Sequence, residues 1–380
     1  MQDNLLFIVN SKSENSKARA GCIITGHGKI ETPAFMPVGT QGTVKAIEQR
    51  ELIELNVPII LGNTYHLYLR PGDVVINHFG GLHKFIHWDR PILTDSGGYQ
   101  VFSLQDLRKL NEDGVEFKSH IDGSRHFFSP EKVVEIQRNL GSDIMMVLDE
   151  CTPYPASKQD ALKSMELSGK WALRSKNHFE STTGLYGYRQ FLFAIGQGSM
   201  YKDLRQDYLK KMIDIDFDGY AIGGLSVGEP AEIMYEITDI STDIMPAEKP
   251  RYLMGVGTPE NILESISLGI DMFDCVLPTR NARNGQLFTS RGKINIRNAK
   301  YKLSDEPIDE KINSYASANF SLGYLRHLFI SNEILGLQLA TIHNIAFYVW
   351  LVKKARNELA QGNFEKWKKA ILETLQQTDD

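Results

Sequence analysis

The 380-residue chain is poor in cysteine, in long apolar runs and in net positive charge. Its three cysteines, Cys22, Cys151 and Cys275, lie far apart and form no CxxC pair. A disulfide framework is therefore not expected, and a reducing cytosol suits the chain. The apolar run IAFYVWLV is too short to cross a bilayer, and LLFIV near the start is flanked by polar residues, unlike a signal peptide. We expect a soluble, cytoplasmic protein without membrane contact.

The formal net charge of −5 argues against a protein that coats nucleic acid through general positive charge. One segment reverses this balance. The 30 residues between Asp274 and Asp305 contain no acid and seven bases, namely Arg280, Arg283, Arg291, Lys293, Arg297, Lys300 and Lys302. A carboxylate at the edge of a basic segment suggests chemistry on a nucleic acid rather than on a free metabolite.

A recurring unit organises most of the chain: a short apolar run, a polar or glycine-rich end, then a helical stretch. The runs are AFMPVG (34–39), PIILGN (58–63), PILTDS (91–96), IMMVLDE (144–150), FLFAIGQG (191–198), YAIGGLS (220–226), RYLMGVG (251–257) and MFDCVL (272–277). Such near-continuous runs are typical of strands buried on both faces of a parallel sheet. Between them, Ser129-Pro130-Glu131 and Thr258-Pro259-Glu260 indicate helix starts.

Eight such units predict an α/β fold, a (β/α)8 TIM barrel formed by a single catalytic domain over residues 1–380, with its active site at the carboxyl ends of the strands. An open doubly wound sheet is the alternative, and it also places ligands at strand ends. After the eighth strand an irregular segment, roughly 298–320, precedes two stretches with helical spacing and a charged amphipathic helix near 363–376. We interpret the irregular segment as a small insert.

Asp95 and Asp274 are the candidate catalytic residues, because each stands at the end of an apolar run. Two acids on different strands can divide a displacement at a sugar's anomeric carbon, one attacking and the other moving protons. A lone aspartate at a strand end is more often a helix cap or turn former, and DSGG at 95–98 fits that alternative. Asp274 lies within an apolar run, where an unpaired carboxylate is costly.

Other strand ends offer groups that suit a planar, hydrogen-bonding ligand. The segment Ser96-Gly97-Gly98-Tyr99 could let the backbone approach such a ligand while Tyr99 stacks on it. Asp149, Gln197 and the Gly224–Leu225 backbone could bind the edge of a purine, although singly each is more often a satisfied polar group. His66, His120, His126 and His327 show no metal-ligand spacing, so we interpret them as surface or core residues.

Five long motifs in order resemble bacterial tRNA-guanine transglycosylase, over nearly the whole chain. They are TDSGGYQVFSL (94–104), LDECTPYP (148–155), GGLSVGEP (223–230), YLMGVGTPEN (252–261) and DMFDCVLPTRNARNG (271–285). The resemblance implies an irregular (β/α)8 barrel with a small subdomain after strand eight. It also implies exchange of the wobble guanine in tRNAs with GUN anticodons for 7-aminomethyl-7-deazaguanine, the queuosine precursor.

By the same resemblance, Asp274 is the nucleophile and Asp95 the general base. The implied base-binding residues are Ser96, Gly97, Gly98, Tyr99, Asp149, Cys151, Gln197, Gly224, Leu225, Val227, Glu229 and Met254. Tyr99 stacks on the base with Met254 as the other wall, and the Leu225 carbonyl and Glu229 favour the aminomethyl cation. The implied RNA contacts are Gly255, Val256, Gly257, Thr258, Pro259, Glu260, Asn261, Thr279, Arg280, Asn281, Ala282 and Arg283.

The resemblance carries two further expectations. In this family a valine at the position of Val227 and a cysteine at that of Cys151 accompany the bacterial precursor rather than the bulkier queuine. The partners implied are the tRNA anticodon loop, the free bases and a second copy of the chain. The homodimer forms through the subdomain after strand eight, here residues 298–345.

One motif of the family is missing. The family binds zinc through CxCxxC and a distant histidine, and the corresponding positions here are Ile312, Ser314, Ser317 and His343. Serine hydroxyls do not replace thiolates in structural zinc sites. We therefore expect no metal or other cofactor, with the insert held instead by packing of Ile312, Tyr315 and Phe320. Two alternatives stay open: a catalytically silent RNA-binding subunit, and a retaining glycosidase, which explains both acids but not the basic segment.

Overall fold

The computed structural model describes residues 7–102 and 108–376. The end of the first motif, at 103–104, lies outside these ranges. The strands are β1 Phe7–Lys12, β2 Arg19–Thr25, β3 Gly28–Thr32, β4 Ala34–Gly39, β5 Ile60–Gly62, β6 Ile92–Thr94, β7 Arg108–Asn111, β8 Gly114–Lys118, β9 Arg125–Phe128, β10 Ile144–Met146, β11 Phe191–Gly196, β12 Gly219–Ile222, β13 Arg251–Leu253, β14 Met272–Cys275, β15 Gln286–Thr289 and β16 Gly292–Asn295.

The helices alternate with the strands through most of the chain. They are α1 Gln49–Glu54, α2 Thr64–Leu69, α3 Asp73–His78, α4 Leu82–Ile86, α5 Gly98–Phe102, α6 Pro130–Leu140, α7 Lys158–Ser181, α8 Lys202–Ile215, α9 Ala231–Ile244, α10 Pro259–Ser267, α11 Leu277–Arg283, α12 Tyr315–Asn319, α13 Leu322–Ile330, α14 Ile334–Ala360 and α15 Phe364–Leu375, with a 3-10 helix at Ala299–Leu303. The two expected caps are present: Ser129 Oγ accepts from Lys132 N–H at 3.1 Å, and Thr258 Oγ1 from Asn261 N–H at 3.2 Å.

Eight parallel strands form a closed barrel in the order β4-β5-β6-β10-β11-β12-β13-β14. Closure is made by β14 pairing with β4, with Asp274 opposite Met36. All six residues of β11 are buried, because helices cover the outside while side chains fill the inside. The predicted barrel is confirmed, and the doubly wound alternative is wrong because the sheet has no open edges.

Within the described residues, three short antiparallel sheets are separate from the barrel sheet. The β1-β2-β3 sheet is joined to it by a buried ion pair, in which Arg19 Nη2 lies 2.5 Å from Asp271 Oδ2. The β7-β8-β9 sheet lies between α5 and α6 in the sequence, and the β15-β16 hairpin follows α11. These short strands were not predicted.

Helix α14 has the length and composition of a membrane span, but 67% of its most apolar window is buried inside the protein. It packs on α11, α12, α13 and the barrel strand β4. We therefore describe it as a core helix. It runs without a break through residue 345, the expected end of the insert.

Candidate active site

A cavity of about 520 Å³ opens at the carboxyl ends of the barrel strands. Sixteen of the predicted residues line it: Asp95, Ser96, Gly97, Tyr99, Asp149, Cys151, Gly224, Leu225, Val227, Met254, Gly255, Gly257, Thr258, Asn261, Asp274 and Arg280. A larger, more open depression of about 1030 Å³ lies on the insert, away from these strand ends. The predicted residues at five different strand ends thus meet at the smaller cavity.

Asp95 is held by four hydrogen bonds just after β6. Its Oδ1 accepts from the backbone N–H groups of Thr64 at 2.8 Å and Gly97 at 3.2 Å. Its Oδ2 accepts from Asn63 Nδ2 at 2.5 Å and Gln100 Nε2 at 2.9 Å. Burial nevertheless raises the pKa of Asp95 to about 6, because desolvation outweighs these donors. A carboxyl group with this pKa can both give and take a proton near neutral pH.

Asp149 follows β10 and stands between two side-chain donors. Ser96 Oγ donates to its Oδ1 at 3.0 Å, and Gln197 Nε2 donates to its Oδ2 at 2.7 Å. Burial raises its pKa to about 6, and the nearby charge of Asp95 adds to the increase. Gly98 is packed closely here, since a Cβ on it would stand 2.5 Å from the Asp149 carbonyl oxygen. Gln197 itself is fully buried behind Asp149 rather than at the surface of the cavity.

Asp274 is the last polar residue of β14, and one of its two oxygens is held firmly. Tyr252 OH donates to Oδ1 at 2.6 Å, and Gly255 N–H donates to the same atom at 2.7 Å. Burial raises the pKa of the Asp274 carboxyl, while these two donors act in the opposite direction. Within the described residues, Oδ2 has no hydrogen-bond partner, so this oxygen is left available beside the cavity.

The walls of the cavity differ in exposure. Tyr99 is 57% exposed at its edge, whereas Cys151 and Leu225 are buried and Met254 is half-buried. Burial raises the pKa of Cys151 to about 12, so this side chain is a neutral thiol. Glu229 is not among the described lining residues. Its carboxylate instead accepts from the backbone N–H groups of Ser226 and Val227, and so shapes the loop after β12.

The segments expected to meet RNA are only partly accessible. Arg280 is exposed and lines the cavity, and Arg283 lies one turn further along α11, half-buried. Burial and the charge of Arg280 lower the pKa of Arg283. Glu260 pairs with Lys293 at 3.3 Å. Four expected contact residues have buried side chains, so that any contact with RNA there is made by backbone: Val256, Pro259, Thr279 and Ala282.

Several residues of the site were not predicted from the sequence. Tyr252 was hidden in an apolar strand, and Asn63 was noticed only as a strand end. His66 also lines the cavity, and burial lowers its pKa. Arg205 is fully buried beneath the site, on an amphipathic helix where the sequence gives no sign that this base is buried.

The four positions of the family's zinc motif are all buried together but do not fit the metal. Ile312 offers no donor atom, and Ser314 Oγ caps α12 by accepting from Ser317 N–H at 3.1 Å. Ser317 Oγ lies 3.0 Å from His343 Nδ1, and His343 Nε2 lies 2.8 Å from the Phe288 carbonyl oxygen. Nε2 must therefore carry the proton, and Nδ1 accepts from the serine. Tyr315 is 59% exposed, and its ring packs edge-to-face on Phe320 with the ring centroids 5.6 Å apart.

The barrel and its paired carboxyl groups define an enzyme class: a (β/α)8 enzyme equipped for nucleophilic and acid–base chemistry at its strand ends. The model of the queuine tRNA-ribosyltransferase family matches residues 13–377. A queuine tRNA-ribosyltransferase of Caldanaerobacter subterraneus is 58% identical over 364 residues, 96% of each chain. That of Thermoanaerobacter pseudethanolicus is 56% identical over 361 residues, 95% of each, and that of Desulforapulum autotrophicum 54% over 364 residues, 96% of this chain and 97% of the relative. The chain belongs to the queuine tRNA-ribosyltransferase family.

Proposed function

We propose that this chain, a tRNA-guanine transglycosylase, exchanges the wobble guanine of tRNAs for Asp, Asn, His and Tyr for 7-aminomethyl-7-deazaguanine. The observation that carries the proposal is the arrangement at Asp274. Two donors hold one of its oxygens, and the other oxygen is left beside a cavity that also contains Asp95 and Asp149. This is the arrangement that a nucleophilic carboxylate requires beside an acid–base group and a base-binding group.

In the first half-reaction, Asp274 Oδ2 attacks C1′ of the target nucleotide. The bond from C1′ to N9 of guanine breaks as the bond from C1′ to the carboxylate oxygen forms. The departing guanine takes its electron pair with it and receives a proton from a protonated Asp95. Tyr252 and Gly255 keep the attacking carboxylate oriented throughout.

In the second half-reaction, the incoming base loses its N9 proton to Asp95, which is now ionised. N9 attacks C1′, the ester oxygen of Asp274 leaves, and the ribose keeps its original configuration after two inversions. The pKa of Asp95, raised by burial to about 6, suits both proton transfers.

Recognition of the base follows from donor and acceptor chemistry. Guanine and its 7-deaza relatives present N1–H and 2-amino donors, and the Asp149 carboxylate can accept hydrogen bonds from both. O6 is an acceptor that the Gly224 N–H can meet, while the Gln197 amide holds the Asp149 carboxylate from behind. Tyr99 and Met254 supply the two faces. Val227 and Cys151 leave room for the aminomethyl group, and the Leu225 carbonyl and Glu229 favour its positive charge.

The RNA reaches the site through its anticodon loop, whose bases are poorly stacked and can be turned outward at low cost. Arg280 stands at the rim and Arg283 one turn behind it. We assign both to contacts with the nucleotides flanking the target. The backbone of 255–261 and α11 completes this surface, since several side chains there point into the core.

The test is incorporation of labelled guanine into unmodified tRNA-Tyr by the wild type and by Asp274→Asn. The wild type should incorporate label and the variant should not. A wild type that binds tRNA without incorporation would leave only the silent RNA-binding subunit. A variant as active as the wild type would remove Asp274 as nucleophile.

We further propose that residues 298–345 fold as a metal-free subdomain, with the Ser317–His343–Phe288 hydrogen bonds in place of zinc. Support comes from the neutral histidine: burial lowers its pKa to about 4, and both of its nitrogens are engaged. Elemental analysis of protein grown with added zinc should find no stoichiometric metal. One tightly held zinc per chain would contradict the proposal. Ile312→Cys/Ser314→Cys/Ser317→Cys is the positive control, and it should gain zinc.

We also propose that the enzyme is a cytoplasmic homodimer that associates through this subdomain. Three of its apolar side chains are exposed in the monomer, Leu303 at 91%, Ile334 at 72% and Ile330 at 51%. Sedimentation at several concentrations should give twice the chain mass, and Ile334→Glu should shift the protein to monomer. A wild type that stays monomeric throughout would contradict the proposal.

A further inference from the structure

A fully buried arginine lies beneath the base-binding wall of the cavity. Arg205, on α8, donates from Nη1 to the Gly196 carbonyl at 2.7 Å and from Nε to the Ser199 carbonyl at 2.9 Å. These two carbonyls flank Gln197 at the end of β11. The guanidinium satisfies the buried Ser199 carbonyl where the chain leaves the sheet, and it gives a second donor to the Gly196 carbonyl, which also accepts from Gly223 N–H at 3.0 Å.

The turn that carries Gln197 depends on this close fit. Gly198 has φ of +129° and Ser199 has φ of +51°, so the backbone turns sharply just after Gln197. A Cβ on Gly198 would stand only 2.9 Å from the Arg205 backbone nitrogen. The first turn of α8 therefore packs directly on the turn, and the guanidinium closes over its carbonyls.

Gln197 must be oriented for its role, because its side-chain amide is asymmetric. Nε2 donates to Asp149 Oδ2 at 2.7 Å, while Oε1 is buried without a partner among the described residues. Rotating the amide would place an oxygen against the carboxylate. The hydrogen bond to Asp149 thus fixes which way the amide faces, and it requires the backbone held by Arg205 to place the Gln197 side chain within reach of that carboxylate.

The same guanidinium extends to the neighbouring strand end. Its Nη2 is buried and has no partner within the described part of the chain, and it lies 3.6 Å from where a Cβ of Gly224 would stand. A buried, unused donor is unfavourable for stability, and such groups need a reason beyond packing. Arg205 thus lies beneath two strand ends that carry groups of the base-binding wall, Gln197 after β11 and Gly224 after β12.

We propose that Arg205 is a positioning residue for base recognition, which acts on the base only through Gln197 and the Gly224 turn. The proposal rests on the proposed function, since it concerns the same pocket. The loss of Arg205 should weaken binding of the free base more than it slows the chemical step. Binding of the RNA, which enters from the rim, should change little.

Arg138 provides a matched control at the opposite end of the barrel. It too is a buried arginine, and it donates from Nη1 to Gln190 Oε1 at 2.9 Å and from Nη2 to the carbonyls of Phe179 and Thr182 at 2.9 and 3.1 Å. Arg138→Met and Arg205→Met remove equivalent groups, so both should lower Tm. Only Arg205→Met should alter base recognition.

The experiment is steady-state kinetics of guanine exchange, with Tm measured for each variant. Arg205→Met should raise KM for guanine roughly tenfold with a smaller change in kcat, and Arg138→Met should leave KM for guanine unchanged. In a Gln197→Ala background, Arg205→Met should add little, because residues that act through one another are not additive. If Arg205→Met does not fold, Arg205→Lys, which keeps the charge and one donor, should show the same direction at smaller size.

Equal KM effects at Arg205 and Arg138, or full additivity with Gln197→Ala, would overturn the proposal. Both results are distinct from failure of the proposed function, in which the wild type itself would not exchange guanine.

Discussion

Asn344, in the middle of α14, joins the proposed RNA-binding rim to the rest of the protein. It is fully buried. Its Nδ2 donates to the carbonyls of Pro278 and Gln286, both at 3.0 Å, and its Oδ1 accepts from Phe288 N–H at 3.0 Å. This one side chain thus fixes the start of α11, which carries Arg280, and also holds Gln286 and Phe288 of β15.

Replacing Asn344 by leucine keeps the volume and removes three hydrogen bonds. At about 1 kcal/mol each, the loss is about 3 kcal/mol. The Gln286 carbonyl can recover a bond to water because that residue is exposed, whereas the Phe288 N–H stays buried. We therefore expect a loss of about 2–4 kcal/mol of unfolding free energy. KM for tRNA should also rise, because α11 is no longer held, while KM for guanine should stay close to wild type.

Urea denaturation and exchange kinetics test this prediction. Thr341→Val is the control on the same helix, since the Thr341 hydroxyl is buried without a partner among the described residues. Its removal should be neutral or stabilising. The reasoning is refuted if Asn344→Leu behaves like Thr341→Val, or if it destabilises the protein without any effect on KM for tRNA.

Three further predictions concern single groups. The pKa of His343 is lowered to about 4 in the folded state, so the free energy of unfolding should decrease by up to about 3 kcal/mol as pH falls from about 6.5 to 4. In denaturation experiments at several pH values, His343→Gln should lack this dependence on pH. Gly98→Ala should raise KM for guanine, since its Cβ would stand 2.5 Å from the Asp149 carbonyl oxygen; Gly169→Ala, whose Cβ makes ordinary contact at 3.4 Å, is the control and should have a normal KM. Incorporation of base should fall on both sides of about pH 6, because the first half-reaction needs protonated Asp95 and the second needs ionised Asp95, and an unchanged pH profile of any residual activity of Asp95→Asn would argue against its role.

The barrel was predictable because its strands are buried on both faces. Uninterrupted apolar runs such as FLFAIGQG mark the eight strands, and each confirmed strand falls within or overlaps its run. The runs overshoot at their carboxyl ends: β10 ends at Met146 although the run extends to Glu150, and β12 ends at Ile222 although the run extends to Ser226. The overshoot is informative, because the chain leaves the sheet there while staying largely buried, and Asp149 and residues 223–226 line the pocket.

What the sequence could not supply are groups defined by three-dimensional partners. Tyr252 is an ordinary strand residue until Asp274, 22 positions later, is seen beside its hydroxyl. Arg205 looks like a solvated base on an amphipathic helix, and only the turn at 196–199 shows why it is buried. The short antiparallel strands β1 to β3 were missed because their alternation of buried and exposed residues is short and irregular.

In the proposed mechanism, Asp274 forms a covalent bond to the ribose of the target nucleotide. The most direct measurement mixes excess enzyme with a labelled RNA hairpin that carries a GUN anticodon loop, denatures the mixture and separates it on a gel. The wild type should give a band of protein-linked RNA that disappears when excess guanine is added before denaturation, and Asp274→Asn should give none. An adduct formed equally by Asp274→Asn, or one that mass spectrometry locates on a residue other than Asp274, would contradict the account.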